Sequence, residues 1–489
     1  MRPLALWLVL FVASCSQGQA PTALDRLRPC TSDEGPTDGY CGTFRVFENR
    51  ESRQGRTIDL KIVVLPGLGA DATNDPLFFL AGGPGQGAAQ MADRVAELFG
   101  RVQTNRDIVL VDQRGTGDSN PLDCESDQDS LQVLNESDQA AVERLKKCLA
   151  GFDADPRFYT TTIAMDDLDD VRAHLSYTQI NLYGGSYGTR AALVYLRQHE
   201  AHVRSVILDG VAPPDMRLPL FFARDAQRAL DKLLGDCEAD VTCRAQYPAL
   251  KERTRALLSR LEAAPVRVRL THPRTGVAED VTVKASFVAN ILAGALYSPL
   301  TSALIPELLR RAEADDFQGL LALGLVAENA AENLSIGMQL SVVCAEDYPR
   351  IETAAAARES ANSIFAGHLL TSRMKACEFW PKGAVNPGYY EPVKSTVPVL
   401  VLSGDLDPVT PPAWGDAVTS HLGNARHIIV PGTGHGAIAT GCGMRMAHDF
   451  IERASVADLD TSCLEGLRRP PFFLTPAGPD PAGVKGAPR

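Results

Sequence analysis

The stretch that most constrains the fold runs from residue 180 to residue 199. Residues 180–183 (INLY) form a short apolar run of strand character. Gly184-Gly185-Ser186-Tyr187-Gly188 then fits G-x-S-x-G, and residues 190–199 read as a helix. By itself the pentapeptide is weak, because a chain with 40 glycines can supply it by chance. Between a strand and a helix it gains meaning: the sharp turn lifts the serine hydroxyl out of the backbone, and the glycines relieve crowding. A hydroxyl is a poor nucleophile near neutral pH, so Ser186 would need a base and an acid that orients the base.

The same alternation extends on both sides. Residues 57–65 alternate like a strand, and 76–81 (PLFFLA) and 107–111 (DIVLV) read as buried strands. Residues 162–175 read as a helix with Leu168, Val171 and Leu175 on one face; its aspartates 166, 167, 169 and 170 read as a solvated face favoured by the helix dipole. Residues 203–208 (VRSVIL) follow as another strand. This order predicts an α/β fold with a mostly parallel sheet covered on both faces. From Pro213 the texture turns helical (218–234, 304–314, 318–329), broken by one hairpin, 266–270 with 281–283. Strand character returns at 397–402 (VPVLVL) and 427–430 (HIIV). The pattern predicts a core over 21–212, a mainly helical cap inserted at 213–396, a second core part over 397–468, and a Pro/Gly-rich tail over 469–489 with little regular structure.

The partners Ser186 requires are expected at the later strand ends. Ser403-Gly404-Asp405-Leu406-Asp407-Pro408 follows one of them, with Asp407 the candidate acid and Asp405 its competitor. Pro431-Gly432-Thr433-Gly434-His435-Gly436 follows the next, which makes His435 the candidate base. Backbone donors for an oxyanion are expected from Tyr187, the residue after the serine, and from Ala81-Gly82-Gly83-Pro84-Gly85. Pro84 has no N–H, so Gly83 is the candidate there, with Gly82 second. This chemistry calls on no metal or organic cofactor. A zinc site is disfavoured by the lack of a CxxC pair or an HExxH helix.

Residues 1–20 read as a targeting segment, with Arg2 before a short apolar run at 4–12. Two processing readings stand side by side: small-x-small cleavage after Ala20, and a lipobox at 12–15 that would place a lipid on Cys15. The chain is therefore expected to be exported from a bacterial cell, as a periplasmic or membrane-anchored lipoprotein or as a secreted protein. Of 11 cysteines, Cys15 is the odd one. The other ten fall into neighbours along the chain, 30/41, 124/148, 237/243, 344/377 and 442/463, and sequential disulfides are the simplest pairing in an exported protein. A formal charge of -12 without a basic run argues against a nucleic-acid partner.

Taken together, Gly82-Gly83-Pro84-Gly85, Asp112-Gln113-Arg114-Gly115-Thr116-Gly117-Asp118-Ser119, the Ser186 motif and the Asp407 and His435 segments resemble the prolyl aminopeptidase branch of the α/β-hydrolases. The chain is most similar to its secreted tripeptidyl aminopeptidase-like members, over about residues 40–465. One departure is Ala81, which stands where many members have a histidine. The resemblance implies an α/β-hydrolase core, a serine hydrolase that removes N-terminal residues from small peptides, and a cap that blocks long chains. Such an enzyme must read a free α-ammonium, a task for carboxylates. Cys344-Ala345-Glu346-Asp347 resembles an acidic segment of these caps, so Glu346, with Asp347 second, is the candidate amine anchor. Carboxylesterase or lipase action on the same fold, or a non-catalytic binding lipoprotein, are the alternatives.

Overall fold

A computed structural model describes residues 23–31, 37–69, 73–124, 131, 136–329, 334–366 and 371–479. Residues 1–22, where the targeting segment and the Cys15 lipidation site are expected, and residues 480–489 at the end of the tail lie outside the described residues. Eleven strands are present in that range: β1 (Arg28–Thr31), β2 (Asp38–Phe47), β3 (Thr57–Leu65), β4 (Thr73–Leu80), β5 (Arg106–Val111), β6 (Ile180–Gly185), β7 (Val203–Asp209), β8 (Val266–Thr271), β9 (Ala278–Val283), β10 (Val399–Gly404) and β11 (Ala425–Val430). Nine form one sheet in the order β1-β2-β3-β5-β4-β6-β7-β10-β11, and β8 with β9 forms a separate hairpin. The six strands from β5 to β11 run parallel. The three at the other edge are antiparallel.

The parallel strands are unbroken apolar runs because both their faces are covered. On one face lie the helices Ala92–Gln103 and Gly441–Arg453, which pack Val95, Phe99, Met446 and Phe450 against Leu77, Leu110 and Leu400. On the other lie Thr161–His174 and Tyr187–His199, which pack Leu168, Val171, Leu193 and Leu196 against Phe78, Val109 and Leu182. β6, β7, β10 and β11 are neighbours, so their carboxyl ends open on one crevice. That is where a sheet of this kind offers its loops for chemistry.

Between β7 and β10 the chain leaves the sheet. The helices Phe222–Ala239, Leu250–Ala263, Ala285–Ala295 and Ile305–Ala312 enclose a second apolar cluster of their own, with Leu233, Leu261, Leu292 and Phe317 at its centre. The following helix, Ile336–Val342, behaves differently. It sends Met338 and Val342 into the core cluster, while Leu340, Cys344 and Trp380 pack with Leu145 and Leu149 of the helix Asp138–Gly151. The tail also has a place. Phe472 is buried in the insertion's cluster, Arg469 pairs with Asp236, and Tyr247 donates its hydroxyl to the Phe473 carbonyl.

Three sequence expectations meet a definite outcome here. All five sequential disulfides are present. The helix expected from residue 218 starts at Phe222 instead, since Leu218 precedes Pro219 and the ring disfavours helical geometry one residue earlier. Of the aspartates of Thr161–His174, Asp166 and Asp170 keep side-chain exposures of 37% and 46%, as a solvated face would, but Asp167 does not. Asp167 is 2% exposed, and its two oxygens take Nε and Nη2 of Arg114 at 2.6 and 2.9 Å. Arg114 in turn donates to the carbonyls of Glu48 and Phe158 at 2.7 and 2.9 Å. The Asp112-Gln113-Arg114-Gly115 turn is thereby nailed to a helix. A carboxylate that far from water is stable only with such a bidentate partner. Among the described residues, no helix is long and apolar enough to cross a membrane.

Candidate active site

Ser186 sits at the junction of β6 and the helix Tyr187–His199 with φ 56° and ψ -123°. A serine in that left-handed region is strained, and the close packing around it over-determines the turn. A Cβ on Gly184 would run into the Gly188 carbonyl, and one on Gly188 into the Leu80 carbonyl. Strand and helix can approach so closely only through these two glycines. The Ser186 amide donates to the Asp209 carbonyl at 2.9 Å, which locks the elbow to β7.

His435 lies in the loop after β11. Its Nδ1 is 2.8 Å from Asp407 Oδ2 and 3.1 Å from Thr410 Oγ1. Asp407 is fully buried. Its Oδ1 accepts the Val409 and Thr410 amides at 2.9 and 2.8 Å, and its Oδ2 accepts the Thr410 hydroxyl at 2.8 Å. Burial pushes this carboxyl toward its neutral form. The charge and hydrogen bond of His435, with the two amides, outweigh it and leave the pKa below its ordinary value. Burial likewise disfavours the imidazolium, and Asp407 more than offsets that, so the His435 pKa is raised. With Nδ1 committed, Nε2 is the ring nitrogen left for Ser186. Asp405 faces elsewhere, accepting the Thr433 amide at 3.3 Å.

Ser186, Tyr187, Gly82, Gly83 and His435 line one cavity of about 660 Å³. That is the size of a pocket for a small organic molecule or a short peptide. Gly82 abuts Ser186: a Cβ there would be 3.3 Å from that of the serine. Gly83, one step along the turn, has φ 110° and faces Leu334 of the insertion. The N–H of Tyr187 belongs to the first helical turn, where it has no partner within the helix. Asp112 steadies this corner by accepting the Ala89 and Asp118 amides at 2.7 and 2.9 Å.

Glu346 and Asp347 are not among the residues lining the cavity. Glu346, 1% exposed, accepts the Thr161 amide at 2.7 Å and the Thr161 hydroxyl at 2.9 Å, and it also takes the Tyr389 hydroxyl. Asp347 makes a two-point pair with Arg190 at 3.0 and 3.2 Å. Burial raises the pKa of both carboxyls, against the pull of Arg190. Because the Thr161 hydrogen goes to Glu346, the Tyr187 hydroxyl must donate to Thr161, 2.7 Å away. The acidic pair thus fastens the insertion to the helices that begin at Thr161 and Tyr187, away from the lining of the cavity. Trp380 is core, its Nε1 donating to Ser341 Oγ at 3.1 Å.

Several residues of the site escaped the sequence reading. Tyr297 covers the imidazole edge-on at 5.2 Å between ring centres, and its carbonyl accepts the His435 amide at 2.8 Å. Thr410 bridges Asp407 and His435. Asp209 carries a signal that was available: a lone aspartate, followed by glycine, closing the buried strand VRSVIL.

Residues 75–245 match a family model described as alpha/beta hydrolase fold, and residues 362–463 match one described as TAP-like protein. The chain is 27% identical over 202 residues to the tripeptidyl aminopeptidase of Streptomyces lividans, which covers 38% of each chain. It is 31% identical over 137 residues to the proline iminopeptidase of Arabidopsis thaliana, covering 28% of this chain and 26% of that one. The matched stretches thus span well under half of these relatives. The solved proline iminopeptidase of Mycobacterium smegmatis aligns over 84% of this chain and 98% of its own at 18% identity and a TM-score of 0.41. Given the two family-model matches and a serine elbow at the carboxyl edge of a parallel sheet, the chain has the α/β-hydrolase fold and is similar to tripeptidyl and prolyl aminopeptidases.

Proposed function

We propose that this hydrolase is an exported serine exopeptidase that takes N-terminal residues, proline or short peptides, from small peptides through an acyl-enzyme. The observation that carries the serine mechanism is the Asp407–His435 pair, joined at 2.8 Å and opening on the same cavity as the strained Ser186. His435 takes the Ser186 proton as the hydroxyl attacks the carbonyl. The Tyr187 amide, with Gly83 or Gly82, holds the oxyanion. His435 then gives its proton to the leaving amine, and water releases the acyl part. Residues 213–396 act as the cap that shapes the cavity. The peptidase choice rests on the tripeptidyl and prolyl relatives.

One observation favours a second reading, a carboxylesterase. The charged side chains among the described lining residues are Arg94, Asp209 and His435. Asp209 is already bonded to Tyr183 and to two backbone amides, so that wall offers an α-ammonium no spare carboxylate. Aminoacyl-, prolyl- and tripeptidyl-nitroanilides beside short-chain nitrophenyl esters separate the two. The peptidase predicts faster turnover of the nitroanilides and its loss when the N-terminus is acetylated. Preference for esters, or indifference to acetylation, overturns it. Ser186→Ala should abolish either activity, and retained turnover would remove the serine mechanism. Export and lipidation of Cys15 are tested by mass spectrometry of the mature N-terminus; an unmodified start at Pro21 excludes the lipid.

A further inference from the structure

Asp209, the last residue of β7, is 1% exposed and touches two of the catalytic loops. Its carbonyl holds the Ser186 amide at 2.9 Å. Its side chain turns the other way, to the loop of the base. Oδ1 accepts the Ala437 amide at 2.8 Å, and Oδ2 accepts the Ile438 amide at 3.0 Å and the Tyr183 hydroxyl at 3.1 Å. Ala437 and Ile438 come two and three residues after His435. The next residue, Gly210, has φ 68° and lies against the imidazole: a Cβ there would stand 3.1 Å from His435 Cε1 and 3.0 Å from Thr410 Oγ1.

We propose that Asp209 is a positioning residue for the Ser186–His435 couple, holding the histidine loop against the serine elbow and placing a second negative charge behind the imidazole. The inference rests on the serine-hydrolase reading and goes beyond the Ser186, His435 and Asp407 set. Burying a carboxylate is costly before its partners compensate, so its place calls for a reason. Burial raises the Asp209 pKa, and the Ile438 and Ala437 amides, the His435 charge and the Tyr183 hydroxyl pull against it; the three groups bonded to the carboxylate are all donors, as the ionised form requires. Its surroundings favour an effect on the base. Asp407 lies at Nδ1 of the same ring. Tyr183 on β6 bonds Asp209, and Arg94, from the helix Ala92–Gln103, acts on that tyrosine. The imidazolium is held up by Asp407 first and by Asp209 in addition, against burial.

The test uses the full chain, Asp209→Asn and Tyr183→Phe, with p-nitrophenyl acetate as the probe and a fluorophosphonate to count reactive Ser186. Asn keeps the shape and an acceptor but loses the charge. The expected result is kcat about tenfold lower at unchanged KM, with the acid limb of kcat/KM moved to lower pH by about half a unit. Tyr183→Phe keeps the ring stacked on Phe79 and leaves the charge with one donor fewer, so its acid limb should stay or rise. It carries the test if Asp209→Asn does not fold. Unchanged kcat and an unmoved acid limb in a folded Asp209→Asn, or a lowered limb in Tyr183→Phe, overturn the inference. Wild-type chain that neither labels at Ser186 nor turns over the ester overturns the serine-hydrolase reading instead, which keeps the two failures apart.

Discussion

Asp405 and Asp407 are two positions apart and meet different partners. Asp407 receives an imidazole, a hydroxyl and two amides; Asp405 receives loop amides, of Thr433 at 3.3 Å and of Gly432, and no imidazole. Asp407→Asn should therefore lower kcat by about 10³- to 10⁴-fold through loss of the imidazole's tautomer and charge. Asp405→Asn should stay within about threefold. The comparison is read from ester and nitroanilide turnover, and equal losses would break the assignment. The pH dependence has a worked sign. On the proposed mechanism His435 serves as a base only when neutral, and its pKa is raised, so kcat/KM should climb with pH through a midpoint above 6.5. For stability the pair acts from both sides. The His435 contribution is whole below its unfolded value and lost as pH rises through the folded one. The Asp407 contribution is present above 3.8 and lost as pH falls through its depressed value. Glu346 offers a third contrast. An amine anchor removed as Glu346→Gln would raise KM for unblocked peptides tenfold or more, whereas a fastener leaves it within about twofold, because the amide still accepts from Thr161. Glu346→Ala strands three donors and should cost about 3–5 kcal/mol in urea unfolding.

At the scale of elements, the elbow makes the clearest demand on sequence. Gly184 and Gly188 are pressed against backbone carbonyls, while a Cβ on Gly185 would meet only the far end of Tyr183, at 3.2 Å. Gly184→Ala and Gly188→Ala should abolish fluorophosphonate labelling, and Gly185→Ala should keep most of it. The motif's first and last glycines are thus steric, and its second position is free. The strands of the parallel part were legible to within one to three residues because strands buried on both faces read as plain apolar runs. The loops holding Ser186, Asp407 and His435 were legible because each follows such a strand. Glu346 and Asp167 were not, for a physical reason. Helical spacing tells which residues share a face, but not whether that face meets water or a buried arginine on a distant segment. Arg114 is 53 residues from Asp167, and Arg190 is 157 from Asp347. The Cys344–Cys377 bridge closes 33 residues around the Glu346 turn. Loop-closure entropy gives it about 3–4 kcal/mol, so Cys344→Ala with Cys377→Ala should lower urea-unfolding stability by that amount and reduce kcat by displacing the Thr161–Tyr187 contact.

Across the whole molecule, the insertion between β7 and β10 is tied to the loops of Asp407 and His435, to the glycine turn at Gly85 and to the helix that follows Ser186. Arg228 donates to the Asp407 carbonyl at 2.6 Å. The Tyr297 carbonyl holds the His435 amide, and Ser335 donates its amide to the Gly85 carbonyl at 2.9 Å. Glu346 and Asp347 hold the two helices that flank β6. A lid that swings aside for each substrate would have to break these bonds at every turnover, at roughly 1 kcal/mol each for neutral ones and more for the charged. The insertion is therefore better read as a fixed wall, and the 660 Å³ cavity behind it as the working volume. A fixed wall makes a sharp demand on substrate length. Unblocked peptides of three to twelve residues with the same first four should show a plateau in kcat/KM among the shortest and a steep decline beyond. The decline should lie in KM, because chain that does not fit excludes binding without altering chemistry at Ser186. Arg228→Ala should lower kcat by loosening the Asp407 loop while leaving the length cut-off in place. If long peptides were instead cleaved as readily as short ones, the wall would have to open. Arg228→Ala would then speed turnover of the long ones by removing one of its ties.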